Sequence, residues 1–198
     1  MWMALPGFAL KALKCDTNFL VVNSMYVMHV MVGVIGDVYQ FKLVKLLIGT
    51  REAILCLMCG LLNEYVKSYM LRTSANALEG NFMYLIMYYF CHLKPKLCDR
   101  STLIMTFGLT LTFVCRSSSI IGYAPLAIFK IVEDPRYILS FIAATVIVVM
   151  PIMATTIAMD TYMYGTDKIM IPQINFIWVN IIEGISKHFG EMPIYWYN

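Results

Sequence analysis

The chain has 198 residues, 60% of them hydrophobic and only 14% charged, with a mean hydropathy of +0.71; a soluble domain carries roughly 25% charged residues. Its formal net charge of +3 is scattered in twos and threes between apolar runs. No basic block tracks a phosphate backbone, which excludes nucleic acid as a partner. A polytopic membrane protein is the class that remains.

Met1 to Pro6 offers neither a basic n-region nor a small-residue cleavage site after a short apolar core, so insertion is expected to rely on internal helices. Spanning a bilayer takes ~20 apolar residues in a helix. Six segments approach that length: Asn18 to Val38, Glu52 to Val66, Ala75 to Leu93, Thr102 to Cys115, Ile120 to Val132 and Tyr137 to Met159. Only the last is a long uninterrupted run. The second, fourth and fifth are short and are expected to pack inside the bundle, tilt or join through broken turns. The predicted fold is therefore an all-α polytopic bundle in one domain, 1–159 forming the helices and 160–198 an aromatic-rich interfacial segment.

The linkers alternate in charge. Lys42, Lys45 and Arg51 follow the first segment, Lys94, Lys96 and Arg100 the third, and Lys130 and Arg136 bracket the fifth-to-sixth connection. The intervening linkers hold Lys67 with Arg72, and then Arg116 alone. By the positive-inside rule the first set is cytoplasmic, and Arg72 and Arg116 share the opposite face. The sixth segment exits on that face at Asp160. Beyond it, Asp160, Asp167, Glu183 and Glu191 against Lys168 and Lys187 leave the tail at −2. Phe176, Trp178, Phe189, Tyr195, Trp196 and Tyr197 suit a layer lying against the membrane.

Three polar features thus converge on one face: the octet from Arg72 to Glu79, the run Arg116-Ser117-Ser118-Ser119, and the tail. Arg72, Asn76 and Glu79 are spaced i, i+4, i+7 and share one side of a helix. Polar groups at the mouth of an apolar segment are costly in lipid and favour a protein-lined cavity. Two arginines with aromatic neighbours suit an anionic lipid phosphate bearing a polar head group. The competing reading has Arg72 snorkelling, Glu79 pairing with it locally, and the serines capping the next helix.

Cys56-Leu57-Met58-Cys59 lacks a second Cys or His pair at zinc spacing and reads as packing thiols within one buried helix. His29, His92 and His188 lie in different segments, so no metal site is expected.

In order along the chain, Gly36-Asp37-Val38, Arg72-Thr73-x-x-Asn76-x-x-Glu79, Arg116-Ser117, Asp160-x-x-x-Tyr164-Gly165, Gln173-x-Asn175-Phe176-x-x-x-Asn180 and Phe189-Gly190-x-x-Pro193-x-Tyr195-Trp196-Tyr197 resemble the eukaryotic mannosyltransferases of the endoplasmic reticulum that use dolichyl-phosphate mannose. Within that superfamily the pattern is most similar to the enzymes adding the third mannose of the glycosylphosphatidylinositol (GPI) anchor, with those extending the lipid-linked N-glycan precursor as near relatives. The resemblance implies a GT-C type integral membrane enzyme with a lumenal active site. It implies inverting transfer of mannose from dolichyl-phosphate mannose to a hydroxyl of a glycolipid acceptor, with no metal or soluble cofactor if protein cations stabilise the leaving phosphate. Arg72 and Arg116 are the expected phosphate contacts. Asn76, Glu79, Asp160, Asn175 and Asn180 are expected to bind sugar or order the lumenal loops.

The family's acidic pair, whose carboxylate is the expected general base, belongs to a loop ahead of the region matched here. The adjacent acids of this chain are Glu133-Asp134, in a loop expected on the cytoplasmic side. Met192 precedes Pro193 where the family usually has His, and the family's helices beyond the Trp-Tyr pair have no counterpart. The matched region thus resembles a middle segment of such an enzyme, and the catalytic residue stays unassigned. Two other readings stand beside it: a non-catalytic scaffold keeping the fold, and a small transporter using Asp37 and Glu79 as pathway carboxylates.

Overall fold

Backbone donors cannot be left unpaired in lipid, and every regular element in the computed structural model is helical, with no strand among the described residues, which are 5–15, 17–63, 75–165 and 169–185. The elements are α1 (Leu5–Ala12), α2 (Asn18–Leu47), α3 (Thr50–Leu62), α4 (Ala75–Phe90), α5 (Arg100–Cys115), α6 (Ser119–Glu133), α7 (Tyr137–Tyr164, with a π-helical turn at Thr145–Val149) and α8 (Pro172–Ile177). A second π-helical turn, Trp178–Ile182, continues α8. Each of the six expected apolar segments overlaps one of α2 to α7; the second does so as far as Leu62, and its residues 64–66 lie outside the described residues. Two compact units divide the chain, Met1–Met153 and Ala154–Asn198.

Local chemistry sets the ends of these helices. Thr17 caps α2, its hydroxyl accepting the Leu20 N–H at 3.4 Å, and the Asp99 carboxylate caps α5 by accepting from the Ser101 and Thr102 N–H groups. Ser118 occupies the cap position of α6 without a side-chain hydrogen bond, so the serine capping of the competing reading is absent at that position. The α2 helix runs on past Val38, its expected end, to Leu47. No Gly or Pro stands between Val38 and Gly49, and Lys42 and Lys45 therefore lie on its last turns instead of in a linker. The sixth expected segment is also longer at its end. Asp160 lies inside α7, and the helix stops after Tyr164, where Gly165 takes a left-handed φ of 61° that glycine adopts without a Cβ penalty.

In the first unit the core is built by Val32, Leu78, Phe82, Leu85, Ile86, Leu93, Met105 and Tyr137. They come from α2, α4, the turn after it, α5 and the start of α7. Small residues let these helices approach closely. A Cβ on Gly36 of α2 would meet Asn81 Oδ1 at 2.8 Å, and one on Gly108 of α5 would meet the Leu85 and Ile86 side chains at 3.1 and 3.2 Å. On α5 the buried Thr110 and Thr112 hydroxyls donate to the carbonyls of Thr106 and Leu109 in their own helix, at 2.7 and 2.8 Å. That pairing makes their burial tolerable. The turn after α4 is fastened by Tyr137, whose hydroxyl donates to the Leu93 carbonyl at 3.0 Å, and by Ser140, which donates to the Lys96 carbonyl at 3.1 Å.

Asn18–Leu47 and Tyr137–Tyr164 are long and apolar enough to cross a membrane, and only 22% and 11% of their most apolar stretches are buried. A core helix of a soluble protein would be mostly covered. Here Val22, Val30 and Val34 of α2 and Ile142, Val146 and Met150 of α7 are exposed, the outward apolar face that lipid favours.

Candidate functional site

The α4 helix buries Ala77, Leu78, Asn81, Phe82, Leu85 and Ile86, a stripe repeating every three to four residues. That stripe turns Asn76 outward and leaves Glu79 partly open at the start of the helix. At the far end of α5, Arg116 follows Cys115 in extended conformation, its N–H closing the helix on the Thr112 carbonyl at 2.8 Å. The Arg116 guanidinium reaches back across the gap, and Nη1 donates to Glu79 Oε2 at 2.7 Å. The cation lies at the C-terminal end of α5, where it meets a favourable helix dipole.

The side chains are 46% exposed for Arg116 and 22% for Glu79, so the pair contributes at most about 1 kcal/mol to stability. Its chemical value is orientation. Glu79 holds one edge of a planar guanidinium whose other N–H donors are unengaged among the described residues. Among the described residues the partner of Glu79 is Arg116, 37 positions away. Arg72 itself lies outside the described residues, as do Met192 and the Tyr195-Trp196-Tyr197 end.

In the second unit Asp160 is half-buried within α7 and forms no ion pair among the described residues. Its neighbour Thr161 accepts the Met170 N–H at 3.0 Å, which ties the approach to α8 back to the end of α7. Asn175 is exposed, its amide 4.0 Å from Met170 Sδ, and Asn180 lies in the turn Trp178–Ile182. Gln173 of the same motif is buried, and its carbonyl oxygen has no hydrogen-bond partner among the described residues.

Neither acid of Glu133-Asp134 is free. Glu133 accepts from Lys130 Nζ at 2.7 Å. Asp134 takes the Arg136 Nε at 3.1 and 3.0 Å and the Arg136 backbone N–H at 2.9 Å. These hydrogen bonds from Arg136 hold the Asp134 carboxyl below the usual carboxylate range. A carboxylate so engaged is a turn lock and a poor proton acceptor. It also lies at the end of α6 remote from Arg116, a 15-residue helix or about 22 Å away.

The sequence marks His29 only as one of three scattered histidines. It is fully buried, and neither ring nitrogen has a partner among the described residues. The spacing His29, Val32, Gly33, Gly36 marks it as part of the inward stripe of α2, the one signal in the chain that pointed to it. Among the described residues no group of three or more His, Cys, Asp or Glu is arranged to hold a metal ion.

A half-exposed arginine, steered by a carboxylate at one end of an apolar helical bundle, can offer charged donors to an anion. The chain belongs to the Alg9-like mannosyltransferase family, whose model matches residues 1–198. It is similar to the GPI mannosyltransferase 3 of Candida albicans, 26% identical over 92% of this chain and 37% of that protein. It is similar also to the mannosyltransferase APTG1 of Arabidopsis thaliana, 23% identical over 92% of this chain and 33% of that protein. The GPI alpha-1,2-mannosyltransferase 3 of Xenopus laevis is 23% identical over 82% of this chain and 30% of its own length. The chain therefore spans about a third of the length of the curated relatives it matches. No solved structure matches it significantly.

Proposed function

We propose that this chain is part of a mannosyltransferase that moves mannose from dolichyl-phosphate mannose to a glycolipid acceptor in GPI-anchor biosynthesis, as a GT-C type multi-pass protein of the endoplasmic reticulum membrane. The observation that carries the reading is the 2.7 Å contact between Arg116 and Glu79, two positions that the family resemblance marked independently. As mannose leaves the donor, negative charge collects on the lipid phosphate, and a preoriented guanidinium stabilises that charge more than it stabilises the ground state. Arg116 takes this role, joined by Arg72, while Glu79 fixes the direction of the Arg116 fork. Asn76 stands one helical turn before Glu79 on the exposed edge, where its amide suits a sugar hydroxyl. Asp160, Asn175 and Asn180 are assigned to sugar binding or loop order within the second unit.

The acceptor hydroxyl needs a base, and Glu79, Glu133 and Asp134 are each held in an ion pair. We assign that step to no residue of this chain. The loop charges support a lumenal position for Arg116 and a cytoplasmic one for Arg136.

Replacing Arg116 by Ala at the native locus tests the reading. The glycolipid lacking the third mannose is expected to accumulate, with transfer down about 100-fold, as for loss of one preorganised charge-stabilising donor. Arg116→Lys is expected to recover part of it, since a point charge replaces the fork. Unchanged anchor assembly in Arg116→Ala would overturn the assignment. The alternative of a non-catalytic scaffold draws on the same engaged acids, and predicts normal mannose transfer in both variants.

A further inference from the structure

Between them α2 and α3 form a groove of about 570 Å³ lined by Val34, Asp37, Val38, Phe41, Lys42, Lys45, Leu57 and Leu61, its two lysines toward the end of the bundle away from Arg116. Its position follows from the packing of α2 on α4. Gly36 lies against Asn81, and Tyr39 lies against Tyr88, ring centroids 5.5 Å apart. The two helices therefore run in the same direction. Lys42 sits 6.0 Å from the Tyr88 ring, nine residues along α4 from Glu79, or about 14 Å. The groove is thus distinct from the Arg116 site.

Its walls are apolar, and its mouth carries two cations. Lys42 Nζ is held 4.7 Å over the Tyr39 ring, and Tyr39 is itself fixed by a 3.0 Å hydroxyl contact with Tyr89. Neither Lys42 nor Lys45 pairs with an acid among the described residues. Two lysines against one carboxylate, Asp37, leave the groove net positive. A cation oriented by aromatic rings yet unpaired, above an apolar channel of ligand size, lacks an anion with a hydrocarbon tail.

We propose that this groove binds an anionic phospholipid of the surrounding leaflet, its phosphate between Lys42 and Lys45 and one acyl chain along Val34, Val38, Phe41, Leu57 and Leu61. The site rests on α2 being a membrane helix and not on the transfer reaction, so loss of either leaves the other standing. Asp37 lies about one and a half turns deeper than Lys42 and repels the phosphate, which limits the site to a head group of low negative charge.

Native mass spectrometry of the full chain in neutral detergent, with equal amounts of dioleoylphosphatidylglycerol and dioleoylphosphatidylcholine, reads out the preference. One tightly retained phosphatidylglycerol is expected. Lys42→Ala combined with Lys45→Ala is expected to weaken its retention about thirtyfold, and Asp37→Asn to strengthen it about fivefold, from one charge effect per residue near a lipid surface. A Lys94→Ala, Lys96→Ala variant removes the same charge from another loop and should retain the lipid as the parent does. Val38→Trp keeps both lysines and fills the channel, so it should lose the lipid with its helical circular dichroism intact. Equal retention of the two lipids, unchanged binding in the Lys42, Lys45 variant, or equal losses in the Lys94, Lys96 variant would overturn the proposal. A dimer forming in place of the lipid complex would overturn it as well, by giving the groove to a second copy.

Discussion

Arg116 and Glu79 illustrate how far residue type and spacing carry an argument. Both belong to expensive polar classes at the edge of apolar segments, so both stood out in the sequence. Their partnership did not, because 37 positions of chain encode no distance until the helices pack, and the nearer Arg72 was an equally good partner on paper. His29 was missed for the opposite reason: a lone histidine in an apolar run looks like any other core residue. Its full burial, with both nitrogens unpartnered among the described residues, leaves desolvated polar atoms that weaken the fold. His29→Leu, close in volume, is therefore expected to stabilise the chain by about 1–3 kcal/mol, read as a higher midpoint in detergent unfolding. A lower midpoint would mean that the ring has a polar function in the folded state.

The positions of the helices were legible from hydropathy, and their ends less so. Periodicity and apolar length report burial or lipid contact, whereas an end depends on caps and breakers that act over a single turn. Lys42 and Lys45 read as linker residues because they are charged, yet their aliphatic stems and the Tyr39 ring let α2 continue through them. Asp160 likewise read as the start of a loop, while the stop lies at Gly165. Contacts between elements depend on small residues whose role appears only in three dimensions. Gly36→Ala places a methyl group 2.8 Å from Asn81 Oδ1 and 3.2 Å from Asn81 Cα. The backbone atom cannot swing aside, so α2 and α4 must part, at a cost of about 1–3 kcal/mol. A thermal melt of the purified variant checks this, and an unchanged midpoint would show the two helices to be loosely packed.

At the scale of the molecule, the charge alternation between segments sets a topology that glycosylation mapping tests. The chain contains no Asn-x-Ser/Thr acceptor of its own, so an engineered one is read without background. An acceptor inserted after Ser118 is expected to be glycosylated in microsomes and one inserted between Lys94 and Asp99 to stay unmodified; the reverse pattern would invert the site and its proposed lumenal chemistry. The sequence by itself determined the helical content, the six apolar segments and the family, because each follows from composition, local periodicity or the order of motifs. The tertiary structure decided which polar groups meet. It brought Glu79 to Arg116, committed Glu133 and Asp134 to their own loop, buried His29 and set Lys42 over Tyr39 beside an apolar groove. Such contacts depend on helix rotation and close approach at glycines, and a linear chain states neither until its segments have packed.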